Sequence, residues 1–345
     1  MNIETYVVTI KPESAFGTPL KGDTLFGQLC WQIAEDSSLA DKGLDDLLKR
    51  YSDSPFAVLS SAWPVLLEAG KWMFALPRPE LPPSFLGDPE GIKSCADRLK
   101  ARKDNKARKW FMVPESLIRP LSWEYVKSDS ELFQLLVENL SEVERKRLNL
   151  SLEQKPIKYV EQQHNTINRS TMTTGKGMFA PYAMQNTWYM PGMELAIFVA
   201  LDRELISIEQ IEKGLERVGQ FGFGRDASTG LGKFSLGEIE EIEWPQCQPG
   251  QSVFSLSPCV PERNRFGDIY FQPFIRFGKH GAQLLHTGRP FKNPVVMADE
   301  GAVFSPKKDD TIDKPWVGRA VSGVSKALEA SVVQGYSLAL PLTLA

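Results

Sequence analysis

The sequence has little histidine and little cysteine, and both shortages narrow its chemistry. His164, His280 and His286 are the three histidines of the 345-residue chain. Few side chains can therefore act as a general base or activate a nucleophile near neutral pH, and none lies in the first 163 residues. Cys30, Cys95, Cys247 and Cys259 form no CxxC pair and have no neighbouring histidine, which supports neither a zinc site nor a disulfide framework. They read as reduced thiols, and no metal or other cofactor is expected. Long apolar runs are missing too: no stretch approaches the roughly 18 to 20 residues of a membrane span. Met1 to Lys11 lacks the basic start and apolar centre of a secretory signal. A cytoplasmic protein without a membrane partner is expected.

The formal net charge is -3, which by itself argues against binding a polyanion. The charge is uneven, however. Eight cations (Lys93, Arg98, Lys100, Arg102, Lys103, Lys106, Arg108 and Lys109) stand against Asp97 and Asp104 in one short stretch. Such a strip is either a solvated helix face or a contact for phosphates or a neighbouring subunit.

Residues Ile3 to Ile10 carry the β-branched and aromatic pattern of a strand. A helix follows, with Asp23 or Thr24 as its cap and Phe26, Leu29, Cys30, Ile33 and Ala34 at core-facing spacing. Its start, around Lys21, favours an anion through free N–H groups and the positive dipole end. "PFAVLSSAWPVLL" and "KWMFALPRP" read as paired strands. Residues 85 to 160 form a charged and mostly helical insertion, and "EQQHNTINRSTMTTGKGMFAPYAM" a protruding hairpin or loop. "MELAIFVAL" restores the core pattern as a strand. A helix with Ser207 and Gln210 as its capping box comes next, followed by a glycine loop and the strand "KFSLGEIEEIEW". The order predicts an α+β fold: a ferredoxin-like domain over 1–244 interrupted at about 85–190, a linker at 245–251, and a β-rich second domain over 252–345.

The loop "GFGRDASTGLGKF" (residues 222 to 234) fits no nucleotide motif. A dinucleotide fingerprint needs G-x-G-x-x-G opening a helix after a strand, and here the elements are reversed and the spacing differs. A P-loop would need glycine at Ala227 and Ser or Thr at Phe234. Ser228 is not in a G-x-S-x-G elbow. Two readings stay open: close packing of a loop with positive φ, or phosphate binding through backbone N–H groups.

The loop resembles that of the RAMP (repeat-associated mysterious protein) superfamily, the RNA-binding subunits of CRISPR effectors. "PLKGDTLFGQLCWQIAE" is similar to the first helix of these proteins. "HNTINRSTMTTGKGMFAPY" resembles a segment of the Csm-type subunit four of type III-A complexes, and "VVQGYSLALPL" its closing strand. The resemblance implies two ferredoxin-like domains and no catalytic activity. It also implies a grip on the repeat-derived 5′ handle of crRNA, a large Cas ten subunit on one side and a backbone RAMP subunit on the other. Carried over, Gly222, Gly224, Arg225, Ser228, Gly230, Gly232 and Lys233 would meet handle phosphates and sugars, and Lys21 and Thr24 would hold RNA backbone. His164, Asn165, Asn168 and Arg169 would lie on the hairpin near the handle or the first spacer base. Asn165 and Asn168 also suit plain turns, His164 an ordinary surface position, and Phe221 and Phe223 either core or base stacking. The competing functions are a RAMP endoribonuclease that processes crRNA precursors, or the equivalent subunit of another type III branch.

Overall fold

The computed structural model describes residues 2–86, 94–147, 155–262, 264–281, 288, 290–307 and 310–344. The chain opens with β1 (Ile3–Pro12), α1 (Gly22–Glu35), α2 (Leu44–Arg50), β2 (Ala57–Glu68) and β3 (Lys71–Pro77). It continues through α3 (Cys95–Ala107), β4 (Trp110–Pro114), β5 (Pro120–Leu121), β6 (Val126–Lys127), α4 (Asp129–Asn139) and α5 (Glu142–Arg147). A hairpin of β7 (Ile157–His164) and β8 (Tyr182–Tyr189) precedes β9 (Glu194–Asp202), α6 (Ile208–Phe221) and β10 (Phe234–Glu241). The C-terminal strands are β11 (Val253–Ser255), β12 (Phe266–Tyr270), β13 (Pro273–Arg276), β14 (Val295–Ala298), β15 (Val303–Pro306), β16 (Trp316–Gly318), β17 (Tyr336–Pro341) and β18 (Thr343–Leu344).

The main sheet has seven strands in the order β10-β1-β9-β2-β3-β4-β6. The apolar run read as a strand is β9, with eight of its nine positions buried. A strand without a polar face must be covered on both sides. The helices α1 and α6 pack on each other and on β2 and β10 of this sheet, and β17 of the C-terminal sheet meets β9. α6 has the expected capping box: the Ser207 hydroxyl accepts from Gln210 N–H while the Gln210 side chain accepts from Ser207 N–H. Ile211, Leu215 and Val218 bury its apolar stripe.

The insertion differs from the helical expectation, since β4 and β6 extend the main sheet beyond β3. Trp110, Phe111, Met112 and Val113 of β4 are all buried. Four apolar residues behind a basic run are too short a signal against the charged composition around them. The cap of α1 also differs: Lys21 holds the N-cap position with no side-chain cap bond. β7 and β8 pair over their whole lengths, Ile157 with Tyr189 through His164 with Tyr182, as the protruding hairpin expected.

The C-terminal strands form a five-stranded sheet, β12-β15-β11-β17-β16, and a separate ribbon of β13 and β14. Among the described residues no α-helix occurs after α6. One hydrophobic cluster runs through both parts, taking Val8, Phe198 and Leu215 together with Phe254, Leu338 and Leu340. β18 returns to pair with β5.

Candidate nucleic-acid interface

The glycine loop leaves α6 at Gly222 and folds back onto the segment after β1. Phe223 N–H donates to Gly232 O at 2.8 Å, Gly232 N–H to Ala15 O at 2.7 Å and Glu13 N–H to Lys233 O at 2.9 Å. Lys233 N–H donates to Ser14 Oγ at 2.8 Å, and Arg225 N–H to Thr18 Oγ1 at 3.0 Å. Gly232 has φ 76°, and a Cβ there would sit 2.2 Å from Phe223 O, so only glycine fits the crossing. Gly222 and Gly224 are crowded in the same way, against Leu231 O and Thr18. Gly230 is the exception. Its φ is 96°, but nothing lies within 4 Å of a Cβ built on it, so the loop is open on that side. The 3-10 turn of Ala227–Thr229 ends there, with Ser228 exposed. As at any helical start, the first N–H groups of the turn have no acceptor within it. Close packing thus accounts for one half of the loop and leaves the other half facing solvent.

The two aromatic residues of this region separate. Phe223 has no exposure and packs 6.5 Å from Phe16 between ring centroids. Phe221 is 62% exposed.

Arg225 points back into the protein. Its Nη2 donates to Gln185 O at 2.7 Å and to Asn186 Oδ1 at 2.8 Å, both on β8. Nε stands 3.5 Å from the Asp226 carboxylate and makes no hydrogen bond. Asn186 is buried and passes the link to β7 by donating Nδ2–H to Gln162 Oε1 at 2.8 Å. Phe16 and Thr187 exchange backbone bonds at 2.8 and 2.9 Å, so the 13–18 segment grips the loop and the hairpin at once. Lys233, by contrast, is exposed, and no ion pair engages it among the described residues.

Cross-strand pairing puts Trp188, Asn186, Gln162, Met184, His164 and Tyr182 on one face of the hairpin. Trp188 and Tyr182 are about half exposed, and His164 stacks on Tyr182 at 5.4 Å with 12° between the rings. At the tip, Asn168 is a turn former: its backbone exchanges bonds with Met172 and Thr173, and Oδ1 accepts from Ser170 N–H at 2.9 Å. Asn165 and Arg169 are exposed. Asn186, Gln185 and Tyr182 had no local sequence signal, because only the fold brings them to the loop.

Lys21 and Thr24 lie elsewhere. The Lys21 ammonium binds Asp299 at 2.5 Å and Glu300 at 2.9 Å. Burial pulls its pKa down, but the two carboxylates outweigh burial and hold it above the ordinary lysine value. Glu300 also accepts from the Ser61 hydroxyl at 2.5 Å, and Ser61 Oγ accepts from Gly22 N–H at 3.2 Å. The anion that the start of α1 favours is therefore supplied by the chain itself. Asp23 is held by Arg276 through bonds of 2.5 and 2.8 Å. The Phe274 ring lies 4.6 Å from the Lys21 ammonium and 4.7 Å from the Arg276 guanidinium. Thr24 donates its hydroxyl hydrogen to Lys21 O at 2.8 Å.

Most of the basic strip forms α3, where Lys100, Lys103 and Lys106 are exposed; just beyond its end Arg108 pairs with Glu131 and Lys109 with Asp129. Lys93 lies outside the described residues. A cavity of about 780 Å³ between 3–5, 241–247 and 311–315 is lined by Glu4, Glu241, Glu243 and Asp313 against Lys314, and this excess of negative charge repels a polyanion. His280 is buried against Ser325 at 2.7 Å, and burial followed by the nearby Lys292 lowers its pKa. His286 lies outside the described residues. Among the described residues no group of His, Cys, Asp and Glu could hold a metal ion, and no helix is long and apolar enough to cross a membrane.

No protein-family model matches the sequence, and no curated protein does. Solved structures do match in fold. A chain in the crystal structure of a Csm1-Csm4 cassette in complex with pppApA is 15% identical, with a TM-score of 0.53 and 99% of both chains covered. A chain in the Csm3-Csm4 subcomplex of a type III-A CRISPR-Cas interference complex is also 15% identical, with a TM-score of 0.54 and 98% and 99% covered. Csm4 is the subunit common to both complexes, and the chain described above shares its fold.

Proposed function

We propose that the chain is a non-catalytic RNA-holding subunit of a type III-A CRISPR effector and grips the 5′ handle of crRNA. The observation that carries the reading is the junction of the glycine loop and the hairpin through Arg225. It sets an open loop edge with Lys233 beside a stripe of aromatic rings and amides. Single-stranded RNA held in one shape needs such a combination of N–H donors, cations, amides and stacking faces. The Csm4 fold supports the assignment to this kind of effector.

On this reading Lys233, Ser228 and the Gly230 edge meet phosphates, while His164, Asn165, Arg169 and Tyr182 meet the strand along the hairpin. Gly222, Gly224, Gly232 and Arg225 hold the shape of the loop. Lys21 and Thr24 fix the start of α1 against the 299–300 turn. The partners are crRNA, a large Cas ten subunit and an adjacent backbone subunit. The structures of similar fold pair Csm4 with Csm1 and with Csm3.

The test is to purify the chain with its co-expressed effector subunits, sequence the RNA that remains bound, and incubate the purified chain alone with labelled repeat RNA. Repeat-derived RNA that co-purifies and stays uncut is the expected result. Site-specific cutting that persists through rigorous purification would favour the endoribonuclease instead.

A further inference from the structure

The ribbon of β13 and β14 has its inner face on the protein. Val295 and Met297 are buried in a cluster with Val260, Val324 and Val333, and Arg276 pairs with Asp23 in the first turn of α1. Just past the ribbon, a Cβ built on Gly281 would stand 3.5 Å from Nε1 of Trp31, further along the same helix. The ribbon therefore runs along α1.

Its outer face is apolar as well. Ile275 stands directly opposite Val296, and Lys279 opposite Phe291. Arg276 to Lys279 is three steps and Val295 to Phe291 is four, so one extra residue bulges between the two pairs and the alternation resumes beyond it. Phe277 is two residues from both Ile275 and Lys279, which puts it on their face. Ile275 is 50% exposed, Val296 64%, Phe291 65% and Phe277 71%. The Lys279 ammonium lies 5.5 Å from the centre of the Phe291 ring. Strands that are apolar on both faces belong to sheets covered on both faces, and a two-stranded ribbon is marginal in water without such packing. Among the described residues the inner face is covered and the outer one is not. A contiguous apolar patch of this kind marks a contact surface.

Charge selects the occupant. From Phe271 to Ala298 the sequence has Arg276, Lys279, Arg289 and Lys292 and no Asp or Glu. A second copy seated here by a two-fold axis would bring this cationic stretch against itself, with no carboxylate of its own to meet it. Single-stranded RNA stacks on rings, and Ile275 and Val296 offer none. A protein surface with an apolar centre and carboxylates beside it suits both the patch and its charge.

We infer that the outer face of the β13 and β14 ribbon docks a protein subunit whose contact surface is apolar in the middle and carries a carboxylate opposite Lys279. The inference rests on the subunit role proposed above, and adds where on this chain one of the two protein partners sits.

The test uses the full chain and the two partner subunits, the large subunit and the adjacent backbone subunit, with affinity measured for each. A chain with both Phe277→Ser and Phe291→Ser should unfold at the temperature of the unaltered one, because both rings are largely in solvent. It should bind one of the two subunits about a hundredfold more weakly, the order of two anchoring rings in an interface. The other subunit and the handle RNA should bind as before. Lys279→Glu should weaken the same association about tenfold by setting like charges together, and Phe277→Leu should retain most of it. If the double variant binds both subunits unchanged, the inference is overturned while the RNA-holding function stands. A loss confined to handle RNA overturns it in favour of an RNA contact, and an unaltered chain that is dimeric in light scattering and made monomeric by the double variant overturns it in favour of a second copy. If the unaltered chain binds neither subunit, the inference and the partner assignment fall together, and repeat-derived RNA that still co-purifies would leave the grip on crRNA in place.

Discussion

Arg225 Nη2 lies 2.8 Å from Asn186 Oδ1, and this bond joins the glycine loop to the hairpin across 39 residues of sequence. The loop's first cation is thus committed inside the protein, whereas Lys233 is not. The two cations of one loop do different things, and their variants should separate.

Arg225→Ala removes two hydrogen bonds from a charged donor and leaves Asn186 buried with an unpaired oxygen. About 2–3 kcal/mol of stability should be lost in urea unfolding. RNA affinity should fall because the hairpin loses its orientation, with little change in the dependence on salt. Lys233→Ala should leave stability within about 0.5 kcal/mol. It should also reduce the slope of log affinity against log salt by about 0.7, the value of one phosphate contact on a single strand. Equal salt slopes for the two variants would contradict this division.

The glycines separate by the same reasoning. Gly232→Ala drives a Cβ into Phe223 O at a positive φ, and should cost about 2–5 kcal/mol from strain and overpacking together. Gly230→Ala meets no atom and bears only the cost of φ 96°, about 1–2 kcal/mol. Thermal unfolding of the two variants checks the order, and a Gly230 variant less stable than the Gly232 one would refute the packing account.

What the sequence made legible was local. The capping box of Ser207 and Gln210 and the buried run of β9 each carry their signal within a few residues. Phe221 and Phe223 could not be told apart, because both flank glycines and only the return of the chain at Leu231–Phe234 buries one of them. Lys21 was expected at an anion, and the structure gives it two carboxylates 278 and 279 residues away. No spacing within α1 reveals such a partner. β4 was hidden for a different reason: its four apolar residues follow the most basic stretch of the chain, and composition there favours a solvated helix.

The ion cluster at the start of α1 predicts an alkaline loss of stability. The folded-state pKa of Lys21 is raised above its ordinary value near 10.5, so its contribution is complete below that pH. The contribution disappears as pH rises through the higher folded value. Lys21→Met should remove this part of the alkaline loss. At pH 7 the variant leaves the partly buried Glu300 without its counter-ion, at a cost of about 1–3 kcal/mol. Adding Glu300→Gln should recover part of that cost, since burial already pushes the Glu300 carboxyl up and the amide needs no counter-ion. Urea unfolding at pH 7 and at pH 10 to 11 for the three proteins checks the cycle. A double variant no more stable than Lys21→Met would show that the pair is not coupled.

The hairpin tip offers a test that leaves the core untouched. Residues 165–181 lie beyond the last strand pair, His164 with Tyr182, and their hydrogen bonds stay within the tip. Replacing them by a short Asn-Gly turn suits the twist of the two strands, and midpoint temperature should change by no more than about 2–4 °C, the equivalent of some 1 kcal/mol for a chain of this size. Asn165, Asn168 and Arg169 are lost together while the His164 and Tyr182 stack and the Arg225 junction remain. If RNA follows the hairpin to its tip, affinity for the handle should drop about tenfold or more, with a smaller salt slope from the missing Arg169. If the shortened chain binds like the original, the strand leaves the hairpin before His164, and the RNA contacts are confined to the loop and the lower half of β7 and β8.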